Sequence, residues 1–147
     1  MIDPLTVVVA HLEAQASLVA LVSGQIASRH KFALPQAGRS WTVAPGMGAL
    51  QIRYAPGGQV NLDNSVQTVR LEARCYGVSE EEAATVWRSV IGISRATIRA
   101  SVATPDGTGL LYWLILDGSP EFGIDPDVRI NMVLANLRAQ IHEDSLT

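Results

Sequence analysis

From Val66 to Tyr76 the chain alternates: Val69, Leu71, Ala73 and Cys75 fall on one side, and Arg70, Glu72 and Arg74 on the other. Period-two spacing of this kind is the pattern of a half-buried strand, and it commits the fold to a sheet. Gly77 ends the strand. Ser79 with Glu82 three positions on then forms a capping box, and Glu80, Glu81 and Glu82 occupy a first helical turn, where the helix dipole favours negative charge. Consecutive glutamates fan around a helix. A catalytic acid pair needs two carboxyls converging at a fixed separation, so these three read as a helix start. Behind them Ala83, Val86, Trp87, Val90 and Ile91 make the apolar stripe of an amphipathic helix, expected to fray or bend at Gly92.

The rest of the chain supplies partners for that strand. Asp3-Pro4 pairs an N-cap residue with proline at the first helical position, and Leu5, Val8, Val9, Leu12, Ala16 and Val19 then repeat at helical steps until Gly24. This predicts one N-terminal helix, followed by a short strand over Gln25 to Arg29. Between His30 and Gly48 periodicity is lost among Pro35, Gly38, Pro45, Gly46 and Gly48, so a long loop is expected, of the kind often ordered by a partner. Leu50, Ile52 and Tyr54 alternate with Gln51 and Arg53 as a strand, and "APGGQ" over 55–59 reads as a turn. After the turn "TPDGTG", the run from Leu110 to Asp117 is apolar on both faces and reads as a central strand. "SPEFGIDPD" reads as a loop. The segment 128–142 fits either element: Val128, Ile130, Met132 and Leu134 alternate, while Ile130, Val133, Leu134, Leu137 and Ile141 keep helical spacing. A long strand with a bulge near Ala135 is the favoured reading. The expected fold class is α+β, with two helices packed on a mostly antiparallel β-sheet in a single domain.

Composition narrows the function classes. The chain has 147 residues, 48% of them hydrophobic and 17% charged, enough for one buried core. Its longest apolar runs are far short of the roughly 20 residues of a membrane helix. No basic residue precedes the first apolar stretch, which predicts no secretory leader and synthesis in a cytoplasm. A net charge of −3 argues against a broad basic surface for nucleic acid backbones. Single Cys75 excludes an intrachain disulfide and a cysteine zinc cluster; on the inner face of its strand it reads as a small buried hydrophobe. His11, His30 and His142 form no HxxxH or HxxH pair. Gly46-Met47-Gly48 opens like a dinucleotide loop, but Gln51 stands at the third glycine position and the motif precedes a strand. No catalytic, cofactor-binding or metal site is expected. The face carrying Arg70, Glu72 and Arg74 reads either as solvated or as the rim of a subunit contact. The apolar surplus of the last segments favours an oligomer.

Taken together, "VRLEARCYGVSEEEAATVWRSV" and "LLYWLILDGSPEFGIDPDVRINMVLANLRAQIH" resemble the tail terminator, or tail completion, proteins of long-tailed bacteriophages. The resemblance covers most of the chain: the "DPL" helix, a loop containing Pro35, the charged strand ending at Tyr76-Gly77, the glutamate-capped helix with Ala83 and Ala84, and a final strand after an Asp-Pro loop. It implies a structural virion protein at the tail-neck junction, assembled in the host cytoplasm, and not an enzyme. It also implies a homohexameric ring that caps the head-proximal end of the tail tube, stops tail polymerisation and meets a neck or head-completion protein. DNA would only pass through the ring, which an acidic lumen would not trap. In that setting Arg53, Arg70, Glu72 and Arg74, with the loop from Lys31 to Asp63, are the candidate subunit or tube contacts. Two alternatives stay open: another head-tail connector component, adaptor or stopper, and a small thiol enzyme using Cys75.

Overall fold

Asp3 opens the first helix as the Asp-Pro pair predicts. In the computed structural model, which describes residues 2–29, 32, 41–56 and 66–143, helix α1 spans Pro4–Glu13. Asp3 Oδ1 accepts from Leu5 N–H at 3.3 Å and its Oδ2 from the Thr6 hydroxyl at 3.0 Å. The Tyr54 hydroxyl donates to the same carboxylate, which fastens the helix start to a strand.

The single N-terminal helix expected from the apolar spacing is two helices. Helix α2, Ala16–Val22, meets α1 at 85°. Ala14 N–H donates back to the Ala10 and His11 carbonyls, Gln15 turns to an extended backbone, and its side-chain amide caps the His11 carbonyl at 3.1 Å. Both helices bury their apolar sides, with Val7, Val8, Leu12, Leu18 and Val22 inaccessible. Burial on both sides of the break is why the spacing runs through it.

Next come β1 (Ile26–Ala27), β2 (Ala49–Tyr54), β3 (Val66–Gly77), helix α3 (Glu80–Ala96), β4 (Ala100–Thr104), β5 (Gly107–Leu116), β6 (Glu121–Ile124) and β7 (Asn131–Glu143). All seven strands belong to one sheet, ordered β1-β2-β3-β7-β5-β4, and β6 pairs with β7 where β5 no longer does. The β1–β2 pair is parallel and the other pairs are antiparallel. The expected architecture is therefore corrected: the described residues are 43% strand against 28% helix, a curled mixed sheet carrying three helices, not two helices on a sheet.

Several local expectations change with it. The segment before "TPDGTG" is β4, and the segment read as the loop "SPEFGIDPD" contains β6. Every β6 residue is exposed, so no apolar alternation announces it. Helix α3 runs unbroken past Gly92. The last segment is a strand, and β7 pairs with β3 residue by residue from Asn131↔Gly77 to His142↔Val66 with no bulge at Ala135. The irregularity lies in β5, between Leu111 and Trp113.

The handover from strand to helix is as tight as "CYGVSEEE" suggests. Ser79 Oγ accepts from Glu82 N–H at 3.2 Å. A Cβ on Gly77 would meet the Ala83 amide and stand 2.9 Å from Glu82 Cβ, so only glycine lets the strand end press against the first turn of α3. Helix α3 then covers β3, β7 and β5, burying Val86, Trp87 and Val90 against the face that carries Leu71, Ala73, Cys75, Val133, Ala135 and Leu137. Each fully buried Leu or Val there contributes roughly 1.5–3 kcal/mol relative to exposure.

Among the described residues the opposite face is covered at one end. Trp41 and Phe32 lie over Tyr76, with edge-to-face ring contacts of 5.4 Å between Phe32 and Trp41 and 4.9 Å between Phe32 and Tyr76. Ala49, Val43, Ile130 and Met132 complete this second core. The described part of the expected 30–48 loop thus packs on the sheet, held by Gln25, whose amide bridges Thr42 N–H and the Thr42 and Gly48 carbonyls. Its positions 30, 31 and 33–40, and positions 57–59 of the expected turn, lie outside the described residues.

Candidate functional site

Antiparallel register places Arg53 opposite Glu72, and Gln51 opposite Arg74, so the charged side chains of β2 and β3 share the face turned away from the helices. They form a chain of ion pairs. Glu72 Oε1 accepts from Arg53 at 2.7 Å and from Arg74 Nε at 2.9 Å. Arg74 Nη1 continues to Asp125 Oδ2 at 3.0 Å, an oxygen that also accepts from the Tyr76 hydroxyl at 2.8 Å. The other oxygen, Asp125 Oδ1, accepts from Asp127 N–H at 2.9 Å, while the Asp125 backbone pairs with Ile130 and Arg129. One buried carboxylate therefore locks the β6–β7 connection, residues 125–130, onto the end of β3.

The electrostatics are those of a structural lock. Burial works to raise the Asp125 pKa, but the Asp127 amide, the Tyr76 hydroxyl and the Arg74 charge outweigh it and hold the carboxyl below its ordinary value. Burial, followed by the Asp125 carboxylate, pushes the Tyr76 hydroxyl up, so it stays protonated and donates. Burial also acts against the charged form of Arg74, yet Glu72 and Tyr76 prevail and keep it cationic.

The four residues singled out on the strand face consequently divide. Glu72 and Arg74, with side chains 8% and 17% accessible, are consumed by the internal network. Arg53 is partly available, and Arg70, 68% accessible, holds only a loose 3.5 Å pair with Asp117. Sequence reasoning missed Asp125 and Tyr76 as members of this network. The signals were there: an Asp-Pro pair that starts an Asx turn, and a tyrosine continuing the polar phase of β3.

Candidate chemistry elsewhere resolves into structure. Cys75 is inaccessible, and burial raises its thiol well above the ordinary range, which removes the thiolate a nucleophile requires. His11 Nε2 lies 3.0 Å from the Thr97 hydroxyl, and burial lowers its pKa. Gly46 sits at φ 76° in a turn closed by the Ala44–Met47 bridge, and its N–H donates to Glu82 Oε1 at 3.0 Å. The glycine run thus ties the 44–47 turn to α3. Among the described residues, no group of three or more His, Cys, Asp or Glu side chains is placed to hold a metal ion. No single helix among them is long and apolar enough to cross a membrane.

What remains at the surface is apolar. Strand β6 pairs only with β7 among the described strands, so its outer edge is open. It carries Phe122, 52% exposed, and Ile124, 62% exposed. Phe122 pairs with Val133, which pairs with Cys75, so the ring stands on the helix side of the sheet beside α3. Val78, also exposed, lies at the same end, its carbonyl accepting from the side chain of Asn131, the β7 partner of Ile124. An open groove of about 700 Å³ runs along the same end of the sheet, lined by Phe32, Trp41, Val78, Val128, Arg129 and Ile130 among others.

No protein-family model matches the chain, and no curated protein matches its sequence.

Proposed function

We propose that this chain is a structural subunit that closes the end of a tubular polymer, as the tail terminator proteins it resembles do. Copies would form a ring, six in the family, on the head-proximal end of a phage tail tube, stop its growth and present a different surface to a neck or head-completion protein. The observation that carries the reading is the open edge of β6. A lone copy leaves the exposed backbone edge and the side chains of Phe122 and Ile124 in water, a liability that proteins normally cover. A subunit built for assembly covers it with a neighbour. Ring subunits meet through two unlike patches, and the ring is finite when the rotation closes.

Within this reading Arg70 and Arg53 are the strand-face residues that reach a partner, and Glu72, itself held by Arg74, fixes Arg53. The lumen conducts DNA without gripping it, in keeping with the chain's net charge of −3. The buried Cys75 speaks against the thiol-enzyme alternative.

The test is polymerisation of the cognate tail tube protein with and without this chain, followed by negative-stain imaging. Shorter tubes with extra density at one end are expected. Tube lengths unaffected by the chain would sink the proposal, and binding to isolated heads instead of tube ends would point to an adaptor or stopper.

A further inference from the structure

Helix α3 is bipolar on its exposed side. Glu80 and Glu81 stand at its start, Arg88 at its middle, and Arg95 near its end, all exposed. Its 17 residues put these poles roughly 25 Å apart. Each pole carries an exposed apolar group. At the acidic pole are Val78, Phe122 and Ile124, with Glu80 and Glu81 exposed two and three residues beyond Val78. At the basic pole Ile98 is 78% exposed, the most accessible large apolar side chain described, between Arg95 and Arg99.

Ile98 is held outward. Arg99 adopts φ 50°, an uncommon left-handed backbone for a non-glycine residue, and its N–H donates to the Tyr112 carbonyl at 3.2 Å. Its guanidinium lies 5.6 Å over the Tyr112 ring. Thr97, on the other side, is buried and donates to the Ile93 carbonyl. The segment is thus pinned on both flanks of a side chain that touches little of its own protein. The end of α1 reaches this pole through His11 and Thr97, with Glu13 exposed two residues on.

We infer that the occupant of the Phe122–Ile124 patch is a second copy of this chain, which inserts Ile98 there and sets Arg95 and Arg99 against Glu80 and Glu81. The poles are opposite in charge, so each repels its own kind and attracts the other. A copy that engages through one pole keeps the other free, which is the heterologous contact a ring uses. The inference rests on the ring-subunit reading and names the surfaces that make it.

Two surface variants test it: Phe122→Ser with Ile124→Ser at the acidic pole, and Ile98→Ser at the basic pole. Light scattering across a concentration series reads the mass, and urea midpoints matching the parent confirm that both fold. The parent should assemble, each variant alone should stay monomeric, and an equimolar mixture of the two should give a dimer, because each retains the patch the other lost. Raising the salt from 0.05 to 0.5 M should weaken the mixed dimer about tenfold or more as the charged rims are screened. Variants that assemble like the parent, or a mixture that stays monomeric, would overturn the inference. The outcome is separable from tube capping: monomeric mixtures with normal capping remove this contact alone, and a mixed dimer without capping removes the terminator reading alone.

Discussion

Replacing Asp125 by alanine should unfold more of the molecule than its place in a connection suggests. Its carboxylate is inaccessible and accepts from Tyr76, Arg74 and the Asp127 amide. Leaving the buried Tyr76 hydroxyl without an acceptor costs about 1–3 kcal/mol. Removing one partner of a buried ion pair costs about 3–5 kcal/mol in full, but Arg74 keeps Glu72 and is 17% accessible, so about 1–2 kcal/mol is the fitting share. The Asp127 amide belongs to an exposed residue and turns to water at little cost. The total is about 3 kcal/mol, which at a urea slope of about 2 kcal/mol per molar lowers the midpoint by about 1.5 M without changing the slope. Asp125→Asn, which keeps an acceptor and loses the charge, should cost about half as much. Combined with Arg74→Met, Asp125→Ala should show a coupling of about 1 kcal/mol or more. An Asp125→Ala protein within about 0.5 kcal/mol of the parent, or additive effects in that cycle, would refute the lock.

Acid adds a second signature. The folded Asp125 pKa lies below its ordinary 3.8, so the unfolded chain takes up the proton first; the stabilisation is present above that value and lost as pH falls through the folded pKa. Acid titration of Asp125→Asn should accordingly lack that part of the loss below about pH 4. His11, whose folded pKa lies below 6.5, should draw stability down as pH falls from that value, and His11→Gln should flatten the profile there; an unchanged profile would contradict its burial as the neutral form. Gly48→Ala should destabilise by several kcal/mol, on the order of an overpacked core site, because its Cβ would stand 2.5 Å from the Tyr76 carbonyl oxygen and 2.9 Å from Val86; a urea midpoint within error of the parent would contradict the fit. Thiol reagents should label Cys75 only as fast as the protein unfolds, so stoichiometric labelling within seconds in native buffer would show that the strand face is not sealed.

The elements with one buried face were legible in the sequence. The β3 alternation, the Ser79 cap of α3 and the Asp-Pro start of α1 each carry a local signal that tertiary packing keeps, whereas the return half of the capping box is not made, because Glu82 Oε1 accepts from Gly46 N–H instead. The ambiguity of 128–142 has a physical source. Along β7, Val133, Ala135, Leu137, Ala139 and Ile141 face the helices, while Met132 lies on the opposite face with Ile130, just before the strand, where Trp41 and Phe32 cover that end of the sheet. Two covered faces erase a clean period. Strand β6 was illegible for the opposite reason: it is exposed throughout and exists because β7 offers an edge beyond the end of β5. The polar network shows the same divide. Arg53, Glu72 and Arg74 stood out by register, whereas Asp125, separated from Arg74 by 51 positions, joins them only once the sheet has formed.

The position of β7 has a consequence for synthesis. The last strand made is the one that β3, β5 and β6 all need as a neighbour. Until it emerges, β3 has a bare flank, the β4–β5 hairpin has nothing to join, and the apolar sides of α1, α2 and α3 have half a surface to cover. Until then the chain stays open, with bare strand edges exposed to wrong pairings. Folding then waits for β7 and proceeds in one cooperative closure of sequence-distant strands. Chains that stop before β7 should never mature.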